Sequence, residues 1–198
     1  MTRQVIRLLA VLAAGGAWAP SAVAAQQATV STHWHVAAVQ AEAFGESDWG
    51  LALGATRGLY NGASLVAGAG IDIAWTRPAL SGSRAPGTPL HRDLYTVDAH
   101  LRKRLLLLPG GIGFEAGLPI GMVWSRIGES SATASGSALP TNEEPGGRVG
   151  ATAGGLAALR APLGRRVSVL AEARALHAWI YGQREWLEAY RVGVAVRF

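Results

Sequence analysis

Apolar side chains recur at every second position through most of this chain, and that spacing limits its fold more than any other feature. Leu65, Ala67, Ala69, Ile71, Ile73 and Trp75 alternate with Val66, Gly68, Gly70, Asp72, Ala74 and Thr76. Tyr95, Val97, Ala99 and Leu101 alternate with Thr96, Asp98, His100 and Arg102, and a third run extends from Ile112 to Trp124. A period of two predicts strands with one apolar face. Pro119 falls inside the third run, where its missing N–H predicts a bulge or a locally broken ladder.

Turn signals divide the chain into eight such segments, near 32–44, 49–60, 64–76, 92–105, 112–126, 148–160, 166–180 and 187–198. Short turns at Asn61-Gly62, Pro109-Gly110-Gly111 and Pro162-Leu163-Gly164 follow the even-numbered strands. The remaining connections are tight at Gly45 to Asp48, long over 77–91, longer over 127–147 and short at Gly182 to Trp186. Mean hydropathy is +0.21 and only 16% of residues are charged, yet no run of about 20 apolar residues follows residue 25. Lipid accepts only helices and closed barrels, because every backbone polar group must be satisfied internally. The expected fold is therefore all-β, an eight-stranded antiparallel up-and-down transmembrane barrel over residues 26–198. Two segments are ambiguous. Residues 170–180 are good helix formers, but Val167, Val169, Ala171, Ala173 and Ala175 continue the alternation. In the first strand, Gln40 and Glu42 are even-numbered whereas His33 and His35 are odd, so its phase is open.

Residues 1–25 place Arg3 and Arg7 before an apolar run from Leu8 to Trp18, then Pro20, Ser21 and small residues to Ala25. That order predicts a secretory signal peptide cut near Ala24 or Ala25, and export through the Sec pathway. Its removal lowers the formal net charge from +5 to +3, too little to suggest a nucleic-acid partner. With no Cys, the chain has no disulfide scaffold, thiolate metal site or cysteine nucleophile.

The chain ends Tyr190-Arg-Val192-Gly-Val194-Ala-Val196-Arg-Phe198. Here it resembles the outer-membrane β-barrel proteins of Gram-negative bacteria, and among them the small eight-stranded OmpA, OmpX and opacity-type proteins. The resemblance implies that Tyr190, Val192, Val194, Val196 and Phe198 form a signal for the barrel assembly machinery, and that the mature protein sits in the outer membrane. With the chain ending at Phe198, no peptidoglycan-binding domain is expected after the barrel.

If both termini lie in the periplasm, Trp49, Trp75, Trp124, Trp179 and Trp186 all fall at the outer ends of strands, as an interfacial aromatic girdle should. Trp34, Tyr60 and Phe198 fall at the opposite end. The other face collects Glu42, Asp72, Asp98, His100, Arg102, Glu115, Glu172, Arg174 and Arg191. An eight-stranded barrel is only wide enough inside for side chains, so these charges are expected to pair as a polar plug. A narrow ion path along them is the alternative. Gly50, Gly54, Gly68, Gly70, Gly113 and Gly117 share that face and leave room for long side chains. Arginine outnumbers lysine seventeen to one, and Arg77, Arg84, Arg92, Arg126, Arg148 and Arg184 lie in or near the outer loops, where lipopolysaccharide phosphates are the possible contacts.

Residues 174–177 (Arg-Ala-Leu-His), followed by Glu188-Ala189-Tyr190, are faintly similar to the lipid A deacylases of the PagL family, which implies a wall-mounted His177 and Glu188. The serine of that family's His-x-Ser motif would stand at position 179, which is Trp179, so the nucleophile is missing. His33 and His35 share one strand face, but two imidazoles do not make a zinc site, and a solvated periplasmic end is expected there. The reading is a monomeric structural or surface-interaction barrel, with no enzymatic activity, cofactor or metal.

Overall fold

The computed structural model describes residues 28–43, 46–77, 92–127, 147–180 and 183–198. The expected signal peptide, Arg84 and nearly all of the segment 127–147 lie outside these residues. Eight strands follow one another: β1 (Thr29–Ala43), β2 (Glu46–Asn61), β3 (Ser64–Thr76), β4 (Arg92–Leu107), β5 (Gly113–Ile127), β6 (Gly147–Pro162), β7 (Val167–Ile180) and β8 (Gln183–Arg197). Each pairs antiparallel with the next, and β1 pairs antiparallel with β8 from His33↔Arg197 to Glu42↔Glu188, which closes the barrel. The helix-prone stretch 170–180 lies within β7, because both ladders of that strand are continuous and local propensity yields to pairing.

The short turns, the start of β1 and the end of β8 lie at one end of the barrel, called here the terminal end. Gly62, Gly110 and Gly111 adopt positive φ there, a conformation that glycine reaches without a Cβ clash. The opposite end, the loop end, carries the connections at 44–45, 78–91, 128–146 and 181–182.

The alternation sorts the wall into two faces. Val36, Leu51, Leu53, Ile71, Ile73, Val97, Leu101, Ile120, Met122 and Val192 are exposed on the outside. Their interleaved neighbours are buried or half-buried. Pro119 leaves the β4 ladder intact, at His100↔Pro119, but β5 and β6 lose pairing between Gly117↔Leu156 and Ile120↔Ala153 without changing register. This is a broken ladder and not a bulge. The bulges lie near the terminal end instead, at Leu59/Tyr60 and at Arg104/Leu106. The first makes Val66 the extra residue, since Leu59 pairs with Ala67 and Tyr60 with Leu65. A one-residue slip exchanges faces, so Leu65 is buried inside and not on the outer face that its odd number predicts.

An apolar outer wall in lipid has a simple consequence. Ile71→Arg, on the outer face midway along β3, should cost about 2–4 kcal/mol, read from guanidinium titrations of the chain refolded in phospholipid vesicles.

Candidate functional site

The interior is the candidate site, and it forms because β1 and β5 turn odd positions inward whereas β3, β4, β6 and β7 turn even ones. β8 turns odd positions inward, which brings Arg191 to face β3 and β7. Asp72 is the centre. Arg102 Nη2 and Arg191 Nη1 reach its Oδ2 at 3.4 and 3.1 Å, and Arg174 Nη2 contacts the same oxygen. Imidazole nitrogens of His35 and His100 lie 2.8 and 3.3 Å from its two oxygens. Two further carboxylates complete the layer. Asp98, directly across from Asp72 in the ladder, accepts from Arg174 Nη1 at 3.0 Å and from Thr152 Oγ1 at 3.2 Å. Glu172 takes Arg102 Nη1 at 2.6 Å, and Arg174 Nε donates to it. Thr56 Oγ1 lies 3.2 Å from His100 Nε2.

A second layer lies toward the terminal end. Arg160 Nε donates to Glu115 Oε1 at 2.7 Å and its Nη1 to Ser168 at 3.3 Å. Below it the His33 and Tyr60 rings stack at 3.7 Å, and the Tyr60 hydroxyl donates to the Thr56 carbonyl at 3.0 Å. Toward the loop end the interior is mainly apolar, filled by Ala43, Leu94, Val123, Leu176, Ala178, Ile180 and Leu187, with Thr76, Arg92 and Ser125 also buried there. Between this layer and Arg191 a cavity of about 30 Å³ remains, room for about two waters.

Among the described residues, four carboxylates (Asp72, Asp98, Glu115, Glu172) and five arginines (Arg92, Arg102, Arg160, Arg174, Arg191) are buried. Near-balance of sign is required, because an unpaired charge in so dry a space carries a large desolvation penalty. Glycine supplies the room. A Cβ at Gly54 would stand 2.0 Å from Asp72 Oδ1 and 2.6 Å from the His35 ring, and one at Gly70 would stand 2.5 Å from His100 Nε2.

Of the expected lumen residues, Asp72, Asp98, His100, Arg102, Glu115, Glu172, Arg174 and Arg191 are buried inside. Glu42 is not among them. Odd positions of β1 face inward, so Glu42 lies on the outer wall across from Ser47 and Glu188. Histidines 33 and 35 are buried inside and not solvated, because the odd phase of β1 aims them into the barrel. Tyr60 points inward for the same kind of reason. Arg160 is absent from the expected set, although its even number in a strand with Leu156 and Ala158 facing inward marks it.

Outside, Trp49, Trp75, Trp124, Trp179 and Trp186 are exposed near the loop end. Trp75, Tyr95 and Trp124 stand in one row across β3, β4 and β5, with the latter two rings 5.6 Å apart. On β8, Tyr190, Val192 and Val194 face outward, Val196 is half-buried and Phe198 follows the strand, fully open. Trp186 and Phe198 are separated by about 40 Å of strand at roughly 3.3 Å per residue, or about 30 Å of height at a tilt near 40°. That is close to the apolar thickness of a membrane. His177 packs edge-on against Trp179 at 4.7 Å and beside Trp186 at 5.2 Å, with Trp179 in the place a nucleophile would need.

No family model matches the chain, and no curated protein matches its sequence. Among solved structures, Neisserial surface protein A superposes with a TM-score of 0.52 at 13% identity, covering 86% of this chain and 99% of that one. Ail, the attachment invasion locus protein of Yersinia pestis, superposes at 0.50 with 16% identity over 85% and 97% of the two chains. The fold is that of the small eight-stranded outer-membrane barrels. A second structure of Ail, in complex with the heparin analogue sucrose octasulfate, superposes equally well, at 0.50 and 14% identity.

Removing Glu115 alone strands Arg160 in the interior. Glu115→Ala should destabilise the barrel by about 3–5 kcal/mol, whereas the double change Glu115→Leu/Arg160→Met should be near neutral, as read from the same denaturant titrations.

Proposed function

We propose that this protein is an outer-membrane barrel with a closed lumen, serving as a structural or surface-interaction element and not as a pore or an enzyme. The filled interior carries this reading. Asp72, Asp98 and Glu172 with Arg102, Arg174 and Arg191 cross the lumen from β3 and β4 to β7 and β8, and the apolar layer around Leu94, Leu176 and Leu187 lies above them. An ion entering from the loop end would have to pass the buried Arg92 and shed its hydration in that apolar layer before meeting a carboxylate.

In this reading the signal peptide 1–25 directs export by the Sec pathway, the terminal end faces the periplasm, and the loop end faces outward. The girdle of Trp49, Trp75, Trp124, Trp179 and Trp186 then sits at the outer interface. Arg126 and Arg184, exposed beside Trp124 and Trp186, suit contacts with lipopolysaccharide phosphates. The alternating outward residues Tyr190, Val192, Val194 and Val196, with the terminal Phe198, serve as the signal to the barrel assembly machinery. The mature protein acts as a monomer, since closure leaves no strand edge for a second copy to extend.

Two measurements test this. A folded sample in detergent should migrate differently in electrophoresis before and after boiling. The refolded protein in planar bilayers should give no single-channel steps, and reproducible steps that change in Arg102→Ala or Glu115→Ala would replace the closed barrel with a narrow pore.

A further inference from the structure

The two ends of the barrel differ in charge. At the loop end acids and bases mix, as in Arg77 Nε beside Asp93 Oδ1 at 3.6 Å. At the terminal end the charged side chains that are not buried are all basic among the described residues: Arg57, Lys103, Arg104, Arg165, Arg166 and Arg197. The acid of this end, Glu115, is buried against Arg160. Arg57 projects from the outer wall of β2, and Arg165 and Arg166 are exposed in the turn between β6 and β7.

The same end exposes an unusual apolar surface. The ladder of β3 with β4 stops at Ala67↔Lys103, but β4 runs on to Leu107 with β5 as its partner. Its last residues therefore form an edge strand, paired on one side only with β5, whose residues Gly113–Glu115 pair in turn with β6, and the β4–β5 ladder shifts register at the bulge Arg104/Leu106. Leu105, Leu106, Leu107 and Leu108 are all exposed, at 41%, 54%, 48% and 39%, and Leu163 in the neighbouring turn is exposed at 68%. Strand alternation would hide every second one. Four consecutive exposed leucines are costly in water.

Apolar side chains beside a set of cations match one environment, the boundary between acyl chains and anionic headgroups, where burial and charge attraction act together. We propose that the terminal end docks on anionic phospholipid of the adjoining leaflet, with Leu105–Leu108 and Leu163 at the acyl boundary and Arg57, Arg165 and Arg166 on the phosphates. The inference rests on the membrane-barrel reading above. It deepens that reading by assigning a lipid class to one rim. Arginine suits this role because its fork holds two phosphate oxygens at once, and on a wall position such as Arg57 the aliphatic stem lies along apolar surface while the head reaches the headgroups.

The test uses the chain refolded in phosphatidylcholine vesicles containing spin-labelled phosphatidylglycerol or spin-labelled phosphatidylcholine, with the motionally restricted fraction of each label measured at the protein surface. The anionic label should be enriched about twofold or more at low salt and fall toward parity near ~1 M salt. Arg57→Gln/Arg165→Gln/Arg166→Gln should abolish the enrichment, and Arg126→Gln/Arg184→Gln at the loop end should keep it. If the triple variant does not refold, the exposed-turn pair Arg165→Gln/Arg166→Gln should still show a partial drop, and Arg165→Lys/Arg166→Lys should keep most of the enrichment. Parity in the native barrel overturns the proposal, as does an enrichment that survives the triple variant and disappears in the loop-end double. A native sample whose boiled and unboiled forms migrate alike points instead to failure of the membrane-barrel reading, and the lipid assignment falls with it.

Discussion

Hydrogen bonds between β1 and β8 set the terms for the rest of this molecule. Seven antiparallel ladders would leave two open edges, and in lipid each unpaired N–H or C=O is costly. The eighth ladder removes both edges. It also fixes the circumference, because eight strands at ordinary spacing enclose a space that side chains alone can fill. The apolar outer wall, the crowded interior and the glycine-rich inner face are consequences of that narrow, closed cylinder.

Inside it, electrostatics and volume cannot be separated. Asp72 meets three guanidiniums and two imidazoles because three arginines from β4, β7 and β8 point at one carboxylate across a lumen too narrow to keep them apart. Such a cluster needs opposite charges in near balance and backbone with no side chain beside it, which Gly54 and Gly70 supply. Apolar residues fill most of the loop end, where Arg92 is the one buried charge among the described residues. The barrel thus resembles a soluble protein turned inside out around its middle, with its ion pairs at the centre and its leucines and isoleucines on the surface.

Much of this was legible in the sequence. Strand number, the short turns and the outward faces of β3, β4 and β5 follow from the alternation and from glycine at the turns. Even the flaw at Pro119 follows from its missing N–H. Where the reading failed, the cause was a parity that the one-dimensional pattern leaves open. The short polar run around Gln40 and Glu42 suggested one phase for β1, and the buried histidines 33 and 35 prove the other. Leu65 fell on the wrong face because the bulge that adds Val66 sits between strand and turn. Tyr60 looked like an interfacial aromatic and instead stacks on His33 inside the barrel, since the inner face near the terminal end is wide enough for two rings.

The sequence by itself determined the local geometry: extended segments, their lengths, their turns and, along most strands, the alternation of an apolar side with a polar one. These depend on neighbours one or two positions away. The tertiary structure alone decided which charges meet. Arg191 and Asp72 are separated by 119 residues, and no spacing rule joins them. They come within hydrogen-bonding distance because β8 folds back onto β1, and a closed ring of eight strands places opposite walls within the reach of one arginine side chain.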